Sequence, residues 1–319
     1  MKRIVFDWRL GFGLLGLLAV GLGQALAAEV PAMQPQQVSP TAWYVQGVSE
    51  LGSPINQNFI SNAGFVVTPA GVVLIDALGS PALAKRLVAE IKKITPLPIT
   101  HVLVTHYHAD HIYGLQVFKD IGAKIVAHRA ALIYLNGDTA RLRLAASREQ
   151  LAPWIDENTR LLVPDVWVDA DQDLLLGGVL FQARAVGPAH TPEDLAFYMP
   201  SEKVLFAGDL VFRSRIPFVG QADSRHWITA LDQLLAFDAG VIVPGHGPLS
   251  KDARHDMQQT REYLVYLRTT MSRAAEAMEP FDEAYKNTDW SQFAHLPLFR
   301  LANRMNAYNT YLLMEHEAK

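Results

Sequence analysis

The stretch "THYHADHIYG", residues 105–114, places three histidines and one aspartate within six consecutive positions. It follows directly on the apolar segment 102–104, which predicts a strand buried on both faces. A loop at the end of such a strand can direct side chains into a cleft. Alternation along an extended loop turns the first two histidines to one side, and a turn after them brings the aspartate and last histidine to a second position. Imidazole and carboxylate groups are typical zinc ligands, so the stretch predicts a metal-binding loop rather than a solvated histidine-rich one. The candidate ligands are His106, His108, Asp110 and His111.

Three further residues of metal-binding type stand near the ends of predicted strands. His190 lies in "VGPAHTPEDL", Asp209 in "KVLFAGDLVF" and His246 in "VIVPGHGP". Four side chains do not fill two metal sites, so additional ligands are expected downstream of the first loop. Because strand ends can meet at one edge of a sheet, we expect these three side chains to converge on the loop at 105–114.

The rest of the chain reads as strands followed by helices, twice over, which favours an α+β fold. Residues 59–79 predict two strands around a turn at 68–71, and "SPALAKRLVAEIKKI" predicts a helix with a serine N-cap and proline in its first turn. Residues 251–319 read as mostly helical. Their apolar stripe is expected to pack on the core, and it consists of Met257, Leu264, Leu267 and Met271.

The N-terminus has the three-part layout of a secretory signal peptide. A basic start, a short glycine-broken apolar stretch and the small residues of "ALAA" predict cleavage after Ala27, which gives a signal peptide over 1–27. The alternative is a membrane anchor, but a spanning helix needs about 20 apolar residues. Residues 28–40, rich in proline and glutamine, predict a linker. The expected location is the periplasm or the exterior, with no stable membrane anchor after cleavage.

Composition narrows the classes of partner. The chain has no cysteine, which excludes disulfides and zinc-thiolate sites and suits an oxidising compartment. Removal of residues 1–27, which carry three basic side chains and one acidic one, takes the formal charge from −4 to −6. A mildly acidic protein without a basic patch is unsuited to nucleic acid, so the predicted partner is a small-molecule substrate. The oligomeric state stays open.

The segments "THYHADH", "GPAHTPEDLAFY", "VLFAGDL" and "VIVPGHG" together resemble the metallo-β-lactamase superfamily over about residues 43–250. The resemblance implies an αβ/βα sandwich of two mixed sheets with helices outside and metals at one edge. The expected domain spans 41–250, with a C-terminal helical extension over 251–319 packed on it. The resemblance also implies roles. His106, His108 and His190 would hold the first metal, and Asp110, His111 and His246 the second. Asp209 would bridge both metals, and Asp76 in "VVLIDAL" would brace the metal loop.

The aspartate at position 209 narrows the branch of the superfamily. Zinc β-lactamases usually carry cysteine or serine in that region, whereas aspartate is typical of the glyoxalase-II-like, lactonase-like and phosphodiesterase-like branches. Residues 47–81 and 213–235 are similar to exported proteins of the SoxH and quinoprotein-relay type. The resemblance implies two zinc ions, with iron or manganese as alternatives. A metal-bridging hydroxide would then cleave a small ester, thioester, lactone or β-lactam, with Asp110 orienting the nucleophile and moving a proton.

Other features leave alternatives open. Arg213 and Arg215 either clamp a substrate carboxylate or are solvated loop residues, and Tyr113 is expected to overhang the cleft. His101 and His128 are interpreted as structural. Two other functions compete with hydrolysis: an iron-bound oxidoreductase of the same fold, and an accessory protein of periplasmic quinoprotein or sulfur oxidation. The complete set of ligands favours the hydrolase.

Overall fold

A computed structural model describes residues 32–220 and 222–317 of the chain. The predicted signal peptide and the first residues of the predicted linker lie outside the described residues. The rest of the linker prediction is wrong, because residues 36–37 pair with a neighbouring strand and Met33 is buried in the core. This segment is therefore part of the folded domain.

The first sheet has seven strands in the order of the chain. Its first four strands pair antiparallel and the others pair parallel, so the sheet is mixed. The strands are β1 (Gln36–Gln37), β2 (Ala42–Val45), β3 (Ala63–Thr68), β4 (Gly71–Ile75), β5 (Ile99–Leu103), β6 (Lys124–His128) and β7 (Val166–Val168).

The second sheet has five strands in the order β12-β11-β10-β9-β8, and only the pair β11 and β12 is parallel. Its strands are β8 (Gln172–Leu176), β9 (Val179–Ala185), β10 (Leu195–Met199), β11 (Val204–Phe212) and β12 (Val241–His246). The two sheets pack face to face through one apolar layer. Val66 and Leu103 of the first sheet belong to it, together with Phe197 and Phe206 of the second.

Helices cover the outer face of each sheet. The described residues form α1 (Pro81–Ile94), α2 (Ala109–Ile112), α3 (Leu115–Asp120), α4 (Ala131–Leu135), α5 (Asp138–Gln150), α6 (Ser224–Leu234), α7 (Ala253–Glu276), α8 (Phe281–Asn287) and α9 (Phe299–Glu317). The predicted helix start is present: the Ser80 hydroxyl accepts from the backbone N–H of Leu83, and Pro81 occupies the first turn. Helices α1 and α3 contribute to the core under the first sheet, and α6, α7 and α9 to the core under the second.

The C-terminal helices are built onto the second sheet. The predicted stripe of α7 is fully buried with residues of α6, α9 and β11 in one cluster. The predicted fold class, an α+β sandwich of two mixed sheets with helices outside and a C-terminal helical region, is thereby confirmed. Among the described residues, no helix combines the length and apolar character that crossing a bilayer requires.

Candidate metal centre

The centre lies at the edge where the ends of four strands meet. The loop after β5 carries His106 and His108, and β11 carries Asp209. His246 is the last residue of β12, and His190 lies in the loop between β9 and β10. The structure brings all seven predicted ligand residues into two adjoining groups. One contains His106, His108, His190 and Asp209; the other contains Asp110, His111 and His246.

The first group presents four donor atoms around one point. Nδ1 of His108 lies 3.1 Å from Nε2 of His106 and 3.0 Å from Nε2 of His190. Oδ2 of Asp209 lies 3.4 Å from Nε2 of His190 and 3.8 Å from Nε2 of His106. Ligands about 2.0–2.1 Å from a tetrahedral zinc ion stand about 3.3 Å apart, so these separations fit one such ion.

The second group shares the same aspartate. Nε2 of His111 lies 3.2 Å from Oδ1 of Asp209 and 3.6 Å from Oδ2 of Asp110. Nε2 of His246 lies 3.3 Å from both Oδ2 of Asp110 and Oδ2 of Asp209. Asp209 therefore faces both groups, which is the position that the sequence analysis expected of a bridging carboxylate.

The hydrogen-bond inventory of the cluster also fits metal ions. Nε2 of His111 and Oδ1 of Asp209 are buried without a hydrogen-bond partner among the described residues. Nδ1 of His108 lies within hydrogen-bond distance of Nε2 of both His106 and His190. At most one proton can be shared among these three nitrogens, so lone pairs remain without a donor. Buried polar atoms are normally satisfied, and a divalent ion accepts all of these lone pairs at once. The donor set is thus suited to divalent cations.

Asp76 holds the metal loop from below. It follows β4 with φ of 61°, a left-handed conformation that a non-glycine residue rarely adopts. Its Oδ1 accepts the backbone N–H of Thr105 at 2.8 Å, and its Oδ2 accepts the Thr105 hydroxyl at 2.8 Å. The same Oδ2 lies 2.9 Å from Nδ1 of His111. This contact fixes the proton on Nδ1 and turns Nε2 of His111 toward the ligand groups.

Burial and neighbouring charges set the protonation of the ligands. Burial lowers the pKa of His108 to about 4 and that of His190 to about 3, so both are neutral at pH 7. Burial also lowers the pKa of His111, but the neighbouring carboxylates, with Asp110 the largest, raise it well above its usual value. The pKa of Asp209 is raised by burial, yet His246 and His111 hold it well below its usual range. His108, His190 and Asp209 are thus in the forms that bind metals, neutral imidazole and ionised carboxylate, whereas a metal ion would have to displace the proton that the carboxylates favour on His111.

Several supporting residues were missed by the sequence analysis. A Cβ at Gly245 would lie 2.0 Å from Oδ1 of Asp209, so the glycine is required by the close approach of the bridging carboxylate. Nδ2 of Asn62 donates to the carbonyls of Pro244 and Gly247, each at 2.8 Å, and fixes the His246 turn. The Ser61 hydroxyl donates to the Asp110 carbonyl at 2.6 Å. The glycine was visible in "PGHG", but nothing local marks residues 61–62, which act across the fold.

The predicted substrate residues have other positions. Tyr113 is fully buried with its hydroxyl 3.3 Å from that of Ser147, so the expectation that it overhangs the cleft is wrong. Arg213 does not face the ligand groups, because its Nε donates to Asp256 at 2.7 Å and its Nη1 to the Leu249 carbonyl at 2.9 Å.

Arg215 is not a solvated loop residue, since it is only 3% exposed. Its Nη1 lies 3.0 Å from Nδ1 of His246, on the side of the imidazole that faces away from the ligand groups. Whether it contacts a substrate stays a prediction.

Comparison with known proteins places this geometry in context. The family model described as the metallo-beta-lactamase superfamily matches residues 57–246. A linear primary-alkylsulfatase from Pseudomonas sp. (strain ATCC 19151) is 26% identical over 237 residues, 63% of this chain but only 45% of its own length. A metallo-beta-lactamase type 2 from Bacillus sp. (strain 170) is 28% identical over 204 residues, 62% of this chain and 71% of its own.

Solved structures share the fold at low identity. A metallo-beta-lactamase from Pontibacter korlensis covers 73% of this chain and 99% of its own, with a TM-score of 0.58 and 24% identity. The stereoselective inverting sec-alkylsulfatase Pisa1 from Pseudomonas sp. covers 88% of this chain and 50% of its own, with a TM-score of 0.69 and 18% identity. The match to the sec-alkylsulfatase includes part of the C-terminal helices, because 88% of this chain is more than residues 41–250 account for.

Proposed function

The chain belongs to the metallo-β-lactamase superfamily and is a metal-dependent hydrolase, and from this premise we propose that it is an exported dinuclear zinc hydrolase. The observation that carries the proposal is the pair of donor groups that share Asp209. In it, His106, His108 and His190 would hold one ion, and Asp110, His111 and His246 would hold the other. Divalent ions bound there would lower the pKa of a coordinated water and so supply hydroxide near neutral pH.

The protein's own side chains then position the attacking water and protonate the leaving group. Asp110 is the more accessible of the two carboxylates, with 16% of its side chain exposed against 5% for Asp209. We assign it the orientation of the attacking water and the transfer of a proton to the leaving group through Oδ1, because Oδ2 faces His111 and His246 in the ligand group. Asp76 holds His111 in the tautomer that leaves Nε2 free, and the Ile60 carbonyl accepts from Nδ1 of His246 at 2.6 Å and does the same there.

The proposed substrates are small molecules with a hydrolysable bond: an ester, thioester, lactone or β-lactam. Relatives named as alkylsulfatases and β-lactamases add sulfate esters and support β-lactams as compounds to test. The proposed location is the periplasm or the exterior, supported by the signal-like sequence of residues 1–27 and by the absence of cysteine.

Metal analysis is the first test. We expect two zinc ions per chain in the mature protein, and fewer in Asp209→Ala, because that substitution removes a ligand from both groups. The matched control is Asp138→Ala, an exposed aspartate at the start of α5. Two fully occupied zinc ions in Asp209→Ala would overturn the bridging role. A visible absorption spectrum with stoichiometric iron in place of zinc would move the proposal to the oxidoreductase.

Turnover is the second test. The zinc-loaded protein is assayed on a chromogenic cephalosporin, a nitrophenyl acetate, an aryl thioester, a lactone and a nitrophenyl sulfate. His108→Ala is expected to lose activity by at least a hundredfold, whereas the exposed His226→Ala retains it. If the wild-type protein is fully loaded with zinc and still turns over none of these substrates faster than His108→Ala does, the result contradicts hydrolysis and favours the accessory role.

A further inference from the structure

A cavity of about 170 Å³ lies beside the metal centre, between the end of β11 and the C-terminal helices. Phe212 and Arg215 form the wall toward the centre. Tyr263 of α7, with Phe293 and Leu296 from the turn before α9, form the opposite wall. The far wall lies outside the segment that the family model matches, which ends at residue 246. The C-terminal extension therefore builds this cavity.

Arg215 lines the cavity, and Asp209 and Asp110 act on its charge only from beyond ion-pairing distance. The guanidinium stacks near two aromatic rings, 5.6 Å from the centroid of Phe212 and 5.2 Å from that of Phe218. Its Nη1 approaches Nδ1 of His246, but that nitrogen donates its proton to the Ile60 carbonyl and is not available as an acceptor. Nε is buried without a partner among the described residues, and no carboxylate there lies within ion-pairing distance of the guanidinium.

A buried guanidinium with open donors is costly unless an acceptor meets it. Burial lowers the pKa of Arg215, and the charges of Asp209 and Asp110 act to raise it. A guanidinium keeps its proton in proteins, so the group is charged. A buried N–H donor that has no acceptor costs more free energy when it belongs to a charged group than when it belongs to a neutral one. A carboxylate can accept two parallel hydrogen bonds from a guanidinium. The structure thus combines a desolvated positive charge, an aromatic wall and a space open to a ligand.

We propose that this cavity binds a small organic anion, with its carboxylate on Arg215 and its apolar body against Phe212, Tyr263 and Phe293. The site adjoins the metal centre through the contact between Arg215 and His246 but is lined by none of the ligand residues, and the proposal does not depend on which bond the enzyme hydrolyses. A cavity of about 150 Å³ holds a benzene molecule, so a ligand of benzoate size fits. Glu262 and His295 also line the cavity and are exposed. The carboxylate of Glu262 opposes an incoming anion, which makes it a useful control.

Calorimetric titration of the zinc-loaded full chain with benzoate tests the proposal. We expect benzoate to bind at least tenfold more tightly than benzyl alcohol, its neutral counterpart of similar shape. Arg215→Met keeps a long side chain without the charge and is expected to weaken benzoate at least tenfold. Arg215→Lys is expected to fall between them, because lysine offers a point charge without the planar fork. Glu262→Gln is expected to tighten binding.

A second variant separates the cavity from the metal ions, which could also attract a carboxylate. Leu296→Trp fills the cavity without altering any ligand residue or Arg215, and it is expected to abolish benzoate binding with zinc content unchanged. Benzoate affinity within twofold of wild type in either Arg215→Met or Leu296→Trp would overturn the proposal. Equal affinity of the wild-type protein for benzoate and benzyl alcohol would also overturn the proposal, because the carboxylate would then gain nothing from the Arg215 donors.

Discussion

Replacement of Asp76 by asparagine tests whether the residue below the metal loop controls metal binding. The carboxylate accepts from the Thr105 backbone with Oδ1, and from His111 and the Thr105 hydroxyl with Oδ2. An amide has one acceptor oxygen, so its NH₂ group must face a donor whichever way it is turned. If the NH₂ faces His111, the imidazole either meets it donor to donor or moves its proton to Nε2, the metal-facing atom.

Both outcomes weaken the second metal site. A buried donor left without an acceptor costs about 1–3 kcal/mol, and loss of a partner behind a metal ligand typically costs 10–100-fold in metal affinity. We therefore expect the weaker zinc dissociation constant of Asp76→Asn to rise by about 10–100-fold, which is about 1.4–2.7 kcal/mol. The first site is expected to change less, because none of its three histidines contacts Asp76.

Competition between the protein and a chromogenic zinc chelator measures both constants. Circular dichroism of the metal-free proteins checks that the variant is folded. Asp138→Asn makes the same chemical change at an exposed position and is the matched control. If folded Asp76→Asn retains both zinc constants within twofold of wild type, the reasoning about the His111 tautomer is refuted.

Three further predictions concern the surroundings of the site. Gly245→Ala is expected to lose bound zinc and about 1–3 kcal/mol of stability, because its Cβ would lie 2.0 Å from Oδ1 of Asp209. Gly240→Ala, whose Cβ would meet only ordinary contacts at 3.8 Å, is the control in the same zinc analysis and urea denaturation. Burial raises the pKa of Glu193 above 4.5, so its contribution to stability is fully present below pH 4.5 and falls as pH rises through the raised pKa. Glu193→Gln is expected to remove this decrease in the free energy of unfolding with pH. Urea denaturation from pH 4 to 8 measures it, and the same dependence on pH in the variant as in the wild type would contradict the prediction. Chelation of zinc is expected to lower the melting temperature, since zinc at 100 times its dissociation constant adds about 2.7 kcal/mol; an unchanged melting temperature after complete removal would show that the ligands are held without metal.

The sequence was sufficient for the parts of the structure that depend on local pattern. The apolar run before "THYHADH" predicted the buried strand β5, and His190 followed a strand and His246 ended one as expected, whereas Asp209 lies within β11. Strand ends converge by geometry, so a list of histidines and aspartates at those ends predicted the cluster that the structure shows. The helix beginning at Pro81 was equally readable, because capping is a property of neighbouring residues.

The missed features depend on contacts between distant segments. Tyr113 follows the metal loop by only two residues, yet its ring lies in the core because the short helix α2 turns it inward. Arg213 and Arg215 are two positions apart, yet one pairs with Asp256 of α7 and the other lines a cavity. The loop sequence alone does not determine the contacts of either arginine, because these depend on where α7 and the turn before α9 pack.

The charges around the proposed metal centre bear on the proposal that an anion binds beside it. With the two divalent ions that we propose, the ions and Arg215 would bring five positive charges, and Asp76, Asp110 and Asp209 would offset three of them. Burial raises the pKa of Glu193 and of Asp194, which lie just outside the cluster. In a site this deeply buried, an excess positive charge is screened poorly and attracts anions over several ångströms. The chain as a whole is acidic, with a formal charge of −4, so the attraction is local to the centre and its cavity. Such a distribution favours substrates and ligands that carry a negative charge over neutral ones of the same shape.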